Sequence, residues 1–228
     1  MSTTENIFDR VIVRGIDFFF CAKCFGHGDY PQLQYFESTY EFGSIIGAGQ
    51  TGKVRRCICR STGQEVACKT MPDTKNAHAE LIILHALNSG GGHPGILKFL
   101  DGIRPESRHP LRPKYMHVVT ELCSGGDLSH KAKPGELFPE VETAKIIKSL
   151  VESLKFCHAR NVIHRDVKLS SIFISNDAEY NSWTTKLGNF DRAIHVEPGR
   201  VIDKERKHRS NSCVAQFFHC NEYKFFFY

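Results

Sequence analysis

Between Tyr40 and Thr70 the chain passes through three short β-rich runs, Tyr40–Ile46, Lys53–Arg60 and Gln64–Thr70, parted by Gly47-Ala-Gly49 and Ser61-Thr-Gly63. Gaps of that length and composition are hairpin turns. A helix over about Lys75–Asn88 follows, with Leu81, Leu84 and Leu87 on one face and Gly90-Gly-Gly92 as its stop. Two more strands are predicted around Leu97–Ile103 and Tyr115–Leu122. The longest helix comes next, about Pro139–Arg160, with Val141, Ala144, Ile147, Leu150, Leu154 and Cys157 as a single apolar stripe. A short strand pair, Ile172–Ser175 and Thr185–Leu187, ends the readable pattern. Strands first and helices after, rather than strict alternation, indicate an α+β fold with an antiparallel sheet. The first 36 residues show neither helical nor strand periodicity and read as an extension.

Composition excludes several classes of protein. With 41% hydrophobic and 24% charged residues, 228 residues can bury a core, which rules out wholesale disorder. No apolar run approaches the roughly 20 residues needed to cross a bilayer, and Arg14 and Asp17 interrupt the one secretory-like stretch, Val11–Phe20. A cytoplasmic or nuclear protein with no membrane partner is expected. The net charge of +5 is spread out, and the basic cluster Lys204–Arg209 is broken by Glu205, so it reads as a solvated tail and no nucleic-acid partner is expected. Nine cysteines without a signal peptide imply reduced thiols. Cys21, Cys24 and His27 offer three soft ligands, but a structural zinc ion takes four, and Cys57 and Cys59 sit too close on one strand to supply a second pair. Free thiols are the expectation.

The strongest local feature is Ile46-Gly47-Ala-Gly49-Gln-Thr-Gly52-Lys-Val54. Glycines at this spacing, in a turn between strands, let backbone N–H groups approach a phosphate without obstruction. A dinucleotide fingerprint needs a helix after the loop, whereas Lys-Val-Arg-Arg-Cys-Ile-Cys reads as strand; a Walker A loop needs Gly-Lys-Ser/Thr, whereas Gly52-Lys53 is followed by Val54. On the next strand stands Val66-Ala67-Cys68-Lys69, and Glu80 on the following helix is placed to pair with Lys69. Further on comes Ile163-His164-Arg165-Asp166-Val167-Lys168.

In that order, these motifs resemble the eukaryotic protein kinases over about residues 40–190, with a lysine two places after the aspartate as in the serine/threonine type. Gly92-His-Pro-Gly-Ile96 and Glu121-Leu-Cys-Ser-Gly-Gly-Asp-Leu128 look most like plant calcium-dependent kinases and their calcium-independent relatives, although the chain holds no EF-hand loop. The resemblance implies a small antiparallel-sheet lobe at 37–122 and a partial, helical large lobe at 123–190, with 1–36 an extension and 191–228 a tail unlike any kinase segment. It also implies ATP as cofactor. Gly47, Gly49 and Gly52 would cover the phosphates, with Val54 and Ala67 flanking the adenine and Ile46 among the nucleotide-binding residues. Lys69 would hold the α/β-phosphates, oriented by Glu80. Thr120 would be the gatekeeper, Glu121 and Cys123 would lie in the hinge, and Asp127 would meet the ribose. Asp166 would deprotonate the attacking hydroxyl, and Lys168 would neutralise the transferring phosphoryl group.

Two departures bear on function. The family places asparagine five residues after the catalytic aspartate and an Asp-Phe-Gly further on, both for magnesium; here those positions hold Ser171 and Asn189-Phe190-Asp191. Asn189 offers a neutral oxygen where a hard cation prefers a carboxylate. Losing a charge partner at a desolvated site is worth about 2–5 kcal/mol, and each 1.36 kcal/mol on the transition state is about tenfold in rate. Rescue by Asp191 would require Phe190 to leave its packed position. Only 39 residues follow Asn189, without the family's Ala-Pro-Glu motif or later helices, so Ile147, Leu150 and Leu154 are expected to be partly uncovered, a surface for a protein partner. The reading is therefore a serine/threonine kinase-family domain that binds ATP, with magnesium binding weak or lost and phosphotransfer impaired or absent. The alternatives are a pseudokinase-type interaction module or a non-functional truncated product.

Overall fold

The computed structural model describes residues 8–13, 16–21, 36–103, 115–132, 138–177 and 182–196. At the N-terminus β1 (Phe8–Val13) and β2 (Ile16–Cys21) pair as an antiparallel hairpin, with Phe8 opposite Cys21 and Val13 opposite Ile16. The sequence shows no strand periodicity there because Val11-Ile-Val13 and Phe18-Phe-Phe20 are consecutive apolar runs. Their β-branched and aromatic residues favour extended backbone without any alternation.

The chain divides into two compact units, one formed by the residues up to Gly92 with Leu97–Leu122, the other by His93–Ile96 with the residues from Cys123 on. The first unit is built on β3 (Tyr40–Gly49), β4 (Gly52–Cys59), β5 (Glu65–Pro72), β6 (Phe99–Ile103) and β7 (Tyr115–Glu121). These form one antiparallel sheet in the order β3-β4-β5-β7-β6. Helix α1 (Lys75–Asn88) starts where the Thr74 side chain accepts from Ala77 N, an N-cap that satisfies an otherwise orphaned donor. It buries Ala77, Glu80, Leu81, Ile82, Ile83, Leu84 and Leu87. At its other end Asn88 donates from Nδ2 to Leu84 O and Leu97 O and accepts from Phe99 N, tying the helix to the start of β6. One face of the sheet packs Tyr40, Cys57, Val66, Cys68 and Val119 against Phe36, and the His117 ring stacks on Phe36 at 4.6 Å.

In the second unit a single turn, α2 (Leu128–Lys131), precedes α3 (Glu140–Ala159). The strands are β8 (Val162–Ile163), β9 (Ile172–Asp177), β10 (Ser182–Leu187) and β11 (Ile194–His195), paired as two antiparallel ribbons, β9 with β10 and β8 with β11. Leu128, Ile146, Ile172 and Ile174 form its core cluster, flanked by Phe138, Leu150, Leu169 and Trp183. The buried face of α3 differs from the predicted stripe. Val141 is 67% exposed and Ala144 is exposed, while Ile146, Ser153, Leu154 and Cys157 are buried. Two serines set this phase: Ser149 donates to Thr185 O and Ser153 to Gly95 O. Small hydroxyl-bearing residues at those positions bring neighbouring backbone close, so apolar periodicity alone misplaces the face. The segment His93–Ile96 is held in the same unit, with Gly95 O also accepting from Leu187 N and Ile96 bridging to Leu187. Among the described residues no helix is long and apolar enough to cross a membrane.

Candidate functional site

The glycine loop is the tip of the β3–β4 hairpin. Gly47 faces Val54, Ala48 faces Lys53 and Gly49 faces Gly52 across a two-residue turn, and strand rather than helix follows it, as the exclusion of a dinucleotide fingerprint requires. The three glycines have different reasons for being there. At Gly52, with φ of +154°, a Cβ would come within 2.3 Å of Thr70 O, so the fold itself forbids a side chain. At Gly47 the nearest atom to a Cβ is 3.7 Å away, and at Gly49 nothing lies within 4 Å. Packing therefore does not demand glycine at those two positions. Bare backbone there is what close approach by a phosphate needs.

Val54 pairs with Lys69 and Ala67 with Thr120 in the neighbouring registers, so the predicted adenine- and phosphate-facing residues are brought into adjacent rows of the sheet. Ile46 is 45% exposed at the hairpin. The Lys69 Nζ lies 2.8 Å from both carboxylate oxygens of Glu80, whose side chain is 4% exposed. Such a fork fixes the ammonium in one place. Thr120 is buried on β7. Glu121 accepts from Lys98 N at 2.7 Å and donates its own N–H to Lys98 O, so it is tied to the chain beside it.

The second unit holds the remaining predicted residues. Cys123 is buried, and its carbonyl accepts from Gly126 N in a turn. Asp127 caps α2: its Oδ1 accepts from Ser129 N at 2.9 Å and from the Ser129 hydroxyl, and its Oδ2 lies 3.0 Å from His130 Nδ1. Both carboxylate oxygens thus have local partners. His164 is 1% exposed, with its ring 4.8 Å from the fully buried Phe190. Nε2 donates to Gly188 O, and Nδ1 accepts from Asp166 N. Burial holds this imidazole below its ordinary pKa, against the raising influence of Gly188, Asp166 and Asp191. It is a neutral pin that joins the Ile163–Lys168 stretch to the Gly188–Asp191 turn.

Asp166 is 7% exposed. Its Oδ2 lies 2.6 Å from Lys168 Nζ and 3.9 Å from Arg192 Nε, with neither contact aligned as a hydrogen bond. Ser171 is wholly buried; its hydroxyl donates to Asp166 O, its N–H to Lys168 O, and its carbonyl accepts from Gly188 N. Asn189 sits at φ 60°, ψ 60°, a left-handed conformation that asparagine tolerates better than most residues. Phe190 stays packed, and Asp191 is half-buried with Oδ1 out of solvent and without a hydrogen-bond partner.

Sequence spacing gave no notice of Arg192. It reaches Asp166 only because Arg165 donates to Arg192 O at 2.7 Å and β11 pairs back onto β8. Among the described residues no three His, Cys, Asp or Glu side chains gather closely enough to hold a metal ion, and Cys57, Cys59, Cys68, Cys123 and Cys157 are free thiols. Cys24, His27 and the Lys204–Arg209 cluster lie outside the described residues.

The protein kinase domain family matches residues 40–222, a span that includes part of the stretch set apart above as a tail. The human phosphorylase b kinase gamma catalytic chain, liver/testis isoform, is 30% identical over 184 residues, covering 76% of this chain and 42% of the relative. Calcium-dependent protein kinase 12 of Arabidopsis thaliana is 31% identical over 176 residues, covering 74% and 34% respectively. The serine/threonine-protein kinase PEPKR2 of the same plant is 32% identical over 167 residues, covering 73% and 32%. The chain spans less than half the length of these curated relatives. With the antiparallel sheet, the Lys69–Glu80 pair and the His164–Asp166–Lys168 loop all present, the chain belongs to the protein kinase family, among relatives of the serine/threonine type.

Proposed function

We propose that the chain is a nucleotide-binding kinase-family domain in which phosphotransfer to protein serine or threonine is impaired or absent. Nucleotide binding rests on the open backbone at Gly47 and Gly49 and on the fixed ammonium of Lys69. In the family's reaction the γ-phosphoryl group passes from ATP to a hydroxyl oxygen, and almost all of the catalysis is positioning and charge stabilisation. Asp166 and Lys168 keep the residue types for accepting the proton and meeting the phosphoryl charge.

The observation that carries the impairment is Ser171. Its side chain is wholly buried and its single hydroxyl proton goes to Asp166 O, so it braces the loop and turns no oxygen outward. Asparagine carries both a donor and an acceptor on a longer arm; serine here keeps only the bracing half of that capacity. Asn189 adds no charge, Asp191 holds its Oδ1 inside, and Phe190 remains packed. These residues do not fit a magnesium ion, which takes hard, preferably charged oxygen ligands.

The test is a thermal melt of the chain with ATP in excess magnesium and in EDTA. A ligand at 100 times its dissociation constant adds about 2.7 kcal/mol to stability. The same rise is expected in both buffers, with no phosphate transferred to a generic serine/threonine peptide. A further rise with magnesium accompanied by transfer overturns the reading. The double change Ser171→Asn with Asn189→Asp is expected to make the ATP-induced rise magnesium-dependent.

A further inference from the structure

We propose that Arg192 and Lys168 form a two-cation clamp for the terminal phosphates of a nucleotide, so that side-chain charge stands where a divalent ion would otherwise act. The proposal rests on the nucleotide-binding reading above and names how that site holds phosphate. Both cations converge on one atom, Asp166 Oδ2, at 2.6 Å for Lys168 Nζ and 3.9 Å for Arg192 Nε. The two nitrogens are therefore within about 6.5 Å of each other, the limit reached when those distances lie end to end. Phosphate oxygens of one group, each accepting at about 2.8 Å, bridge such a gap.

Exposure runs the right way for a ligand. The Asp166 side chain is 7% exposed, while those of Lys168 and Arg192 are 29% and 44% exposed. The carboxylate lies beneath and the cations face outward. Its Oδ2 has no aligned hydrogen bond, so the cations are held by charge rather than by directed bonds and are free to turn toward a stronger anion. The main chain beneath Arg192 is fixed by Arg165 Nε donating to Arg192 O at 2.7 Å, by Ala193 N donating to Phe190 O, and by the burial of Phe190.

The charge balance agrees. Lys168 and Arg192 bring two positive charges to the single carboxylate of Asp166. Asparagine rather than aspartate at 189 means that this position adds no carboxylate to oppose an incoming phosphate. Guanidinium suits the task, since its planar fork meets two oxygens of one phosphate at once.

The full chain is titrated in EDTA with inorganic triphosphate and, separately, with adenosine, comparing the unmodified chain with Arg192→Leu and Arg192→Lys. Triphosphate affinity is expected to fall about tenfold in Arg192→Leu, the scale of one lost charge-assisted hydrogen bond, and about threefold in Arg192→Lys, with adenosine affinity unchanged in both. Triphosphate binding that is absent in the unmodified chain, or equal in it and Arg192→Leu, overturns the clamp. So does an Arg192→Leu variant that melts lower without ligand and loses adenosine and triphosphate binding alike, because the role of Arg192 is then structural. Arg192-dependent triphosphate binding with no adenosine binding sustains the clamp and removes the nucleotide reading.

Discussion

The two units treat their charged residues in opposite ways. In the sheet unit Lys69 is gripped by both oxygens of a buried Glu80, and the fold forbids any side chain at Gly52. Charge and backbone are fixed before any ligand arrives. In the second unit Asp166 is met by two partly exposed cations without directed bonds, and Ser171, at a position the family uses for metal, is turned wholly inward. The difference separates two demands that family resemblance merges. Holding a nucleotide needs a pre-set ammonium and open backbone, whereas transferring phosphate also needs outward-facing anionic oxygens for a metal. Under the proposed function, this chain keeps the residues for the first demand and differs from the family at Ser171 and Asn189, where the second is met.

The comparison breaks first at Glu80. Removing one partner of a buried ion pair leaves the other uncompensated, and Glu80→Ala is expected to destabilise the unliganded chain by about 3–5 kcal/mol in a denaturant titration. Lys69→Met combined with Glu80→Leu is expected to recover most of that loss, since a well-packed apolar pair carries no desolvation cost. A loss below about 1 kcal/mol for Glu80→Ala, the scale of an exposed pair, would mean that the strut is not pre-set and that both units hold their charges loosely.

How much of this was legible follows from how each feature is specified. The positions of the main-sheet strands, α1, α3 and the Lys69–Glu80 pairing were readable because they rest on local periodicity and on short motifs set in a fixed order. The burial phase of α3 was not, because Ser149 and Ser153 set it by hydrogen bonds to Thr185 and Gly95, partners far away in sequence. The N-terminal hairpin was hidden by its own uniform apolarity. At the site, residue types were legible and orientations were not. Nothing in Leu169-Ser170-Ser171 says that the Ser171 hydroxyl points back at Asp166 O, and nothing in the spacing brings Arg192 to Asp166.

Among the described residues each unit also buries one neutral imidazole, which gives an acid test of the contrast. Burial holds His117 down at about 4 from an ordinary 6.5, and burial lowers His164 as well. A histidine whose folded pKa lies below its unfolded value binds fewer protons when folded. Its stabilising contribution is therefore complete above about pH 6.5 and is lost as pH falls toward 4. For His117 the shift corresponds to about 3 kcal/mol. A His117→Phe variant, which keeps a ring against Phe36, is expected to flatten the stability profile between pH 6.5 and 4 by up to one proton's worth of slope, read by denaturant titrations across that range. An unchanged profile would place the acid sensitivity elsewhere, with His164 the next imidazole to change.

The smallest expected effect is the sharpest for the contrast, because it asks what Ser171 is for. Ser171→Ala removes the donor to Asp166 O at a wholly buried site, and an unpaired buried carbonyl costs about 1–3 kcal/mol. A residue that only braces the loop predicts a loss of about 2 kcal/mol in stability, with the ATP-induced rise in melting temperature unaltered in EDTA and in magnesium alike. A residue that serves a metal predicts the reverse: little change in stability and a rise that loses a magnesium-dependent part. The two readouts move independently, so one variant measured in two buffers distinguishes a brace from a ligand. The inward hydrogen bond at 2.8 Å predicts the brace.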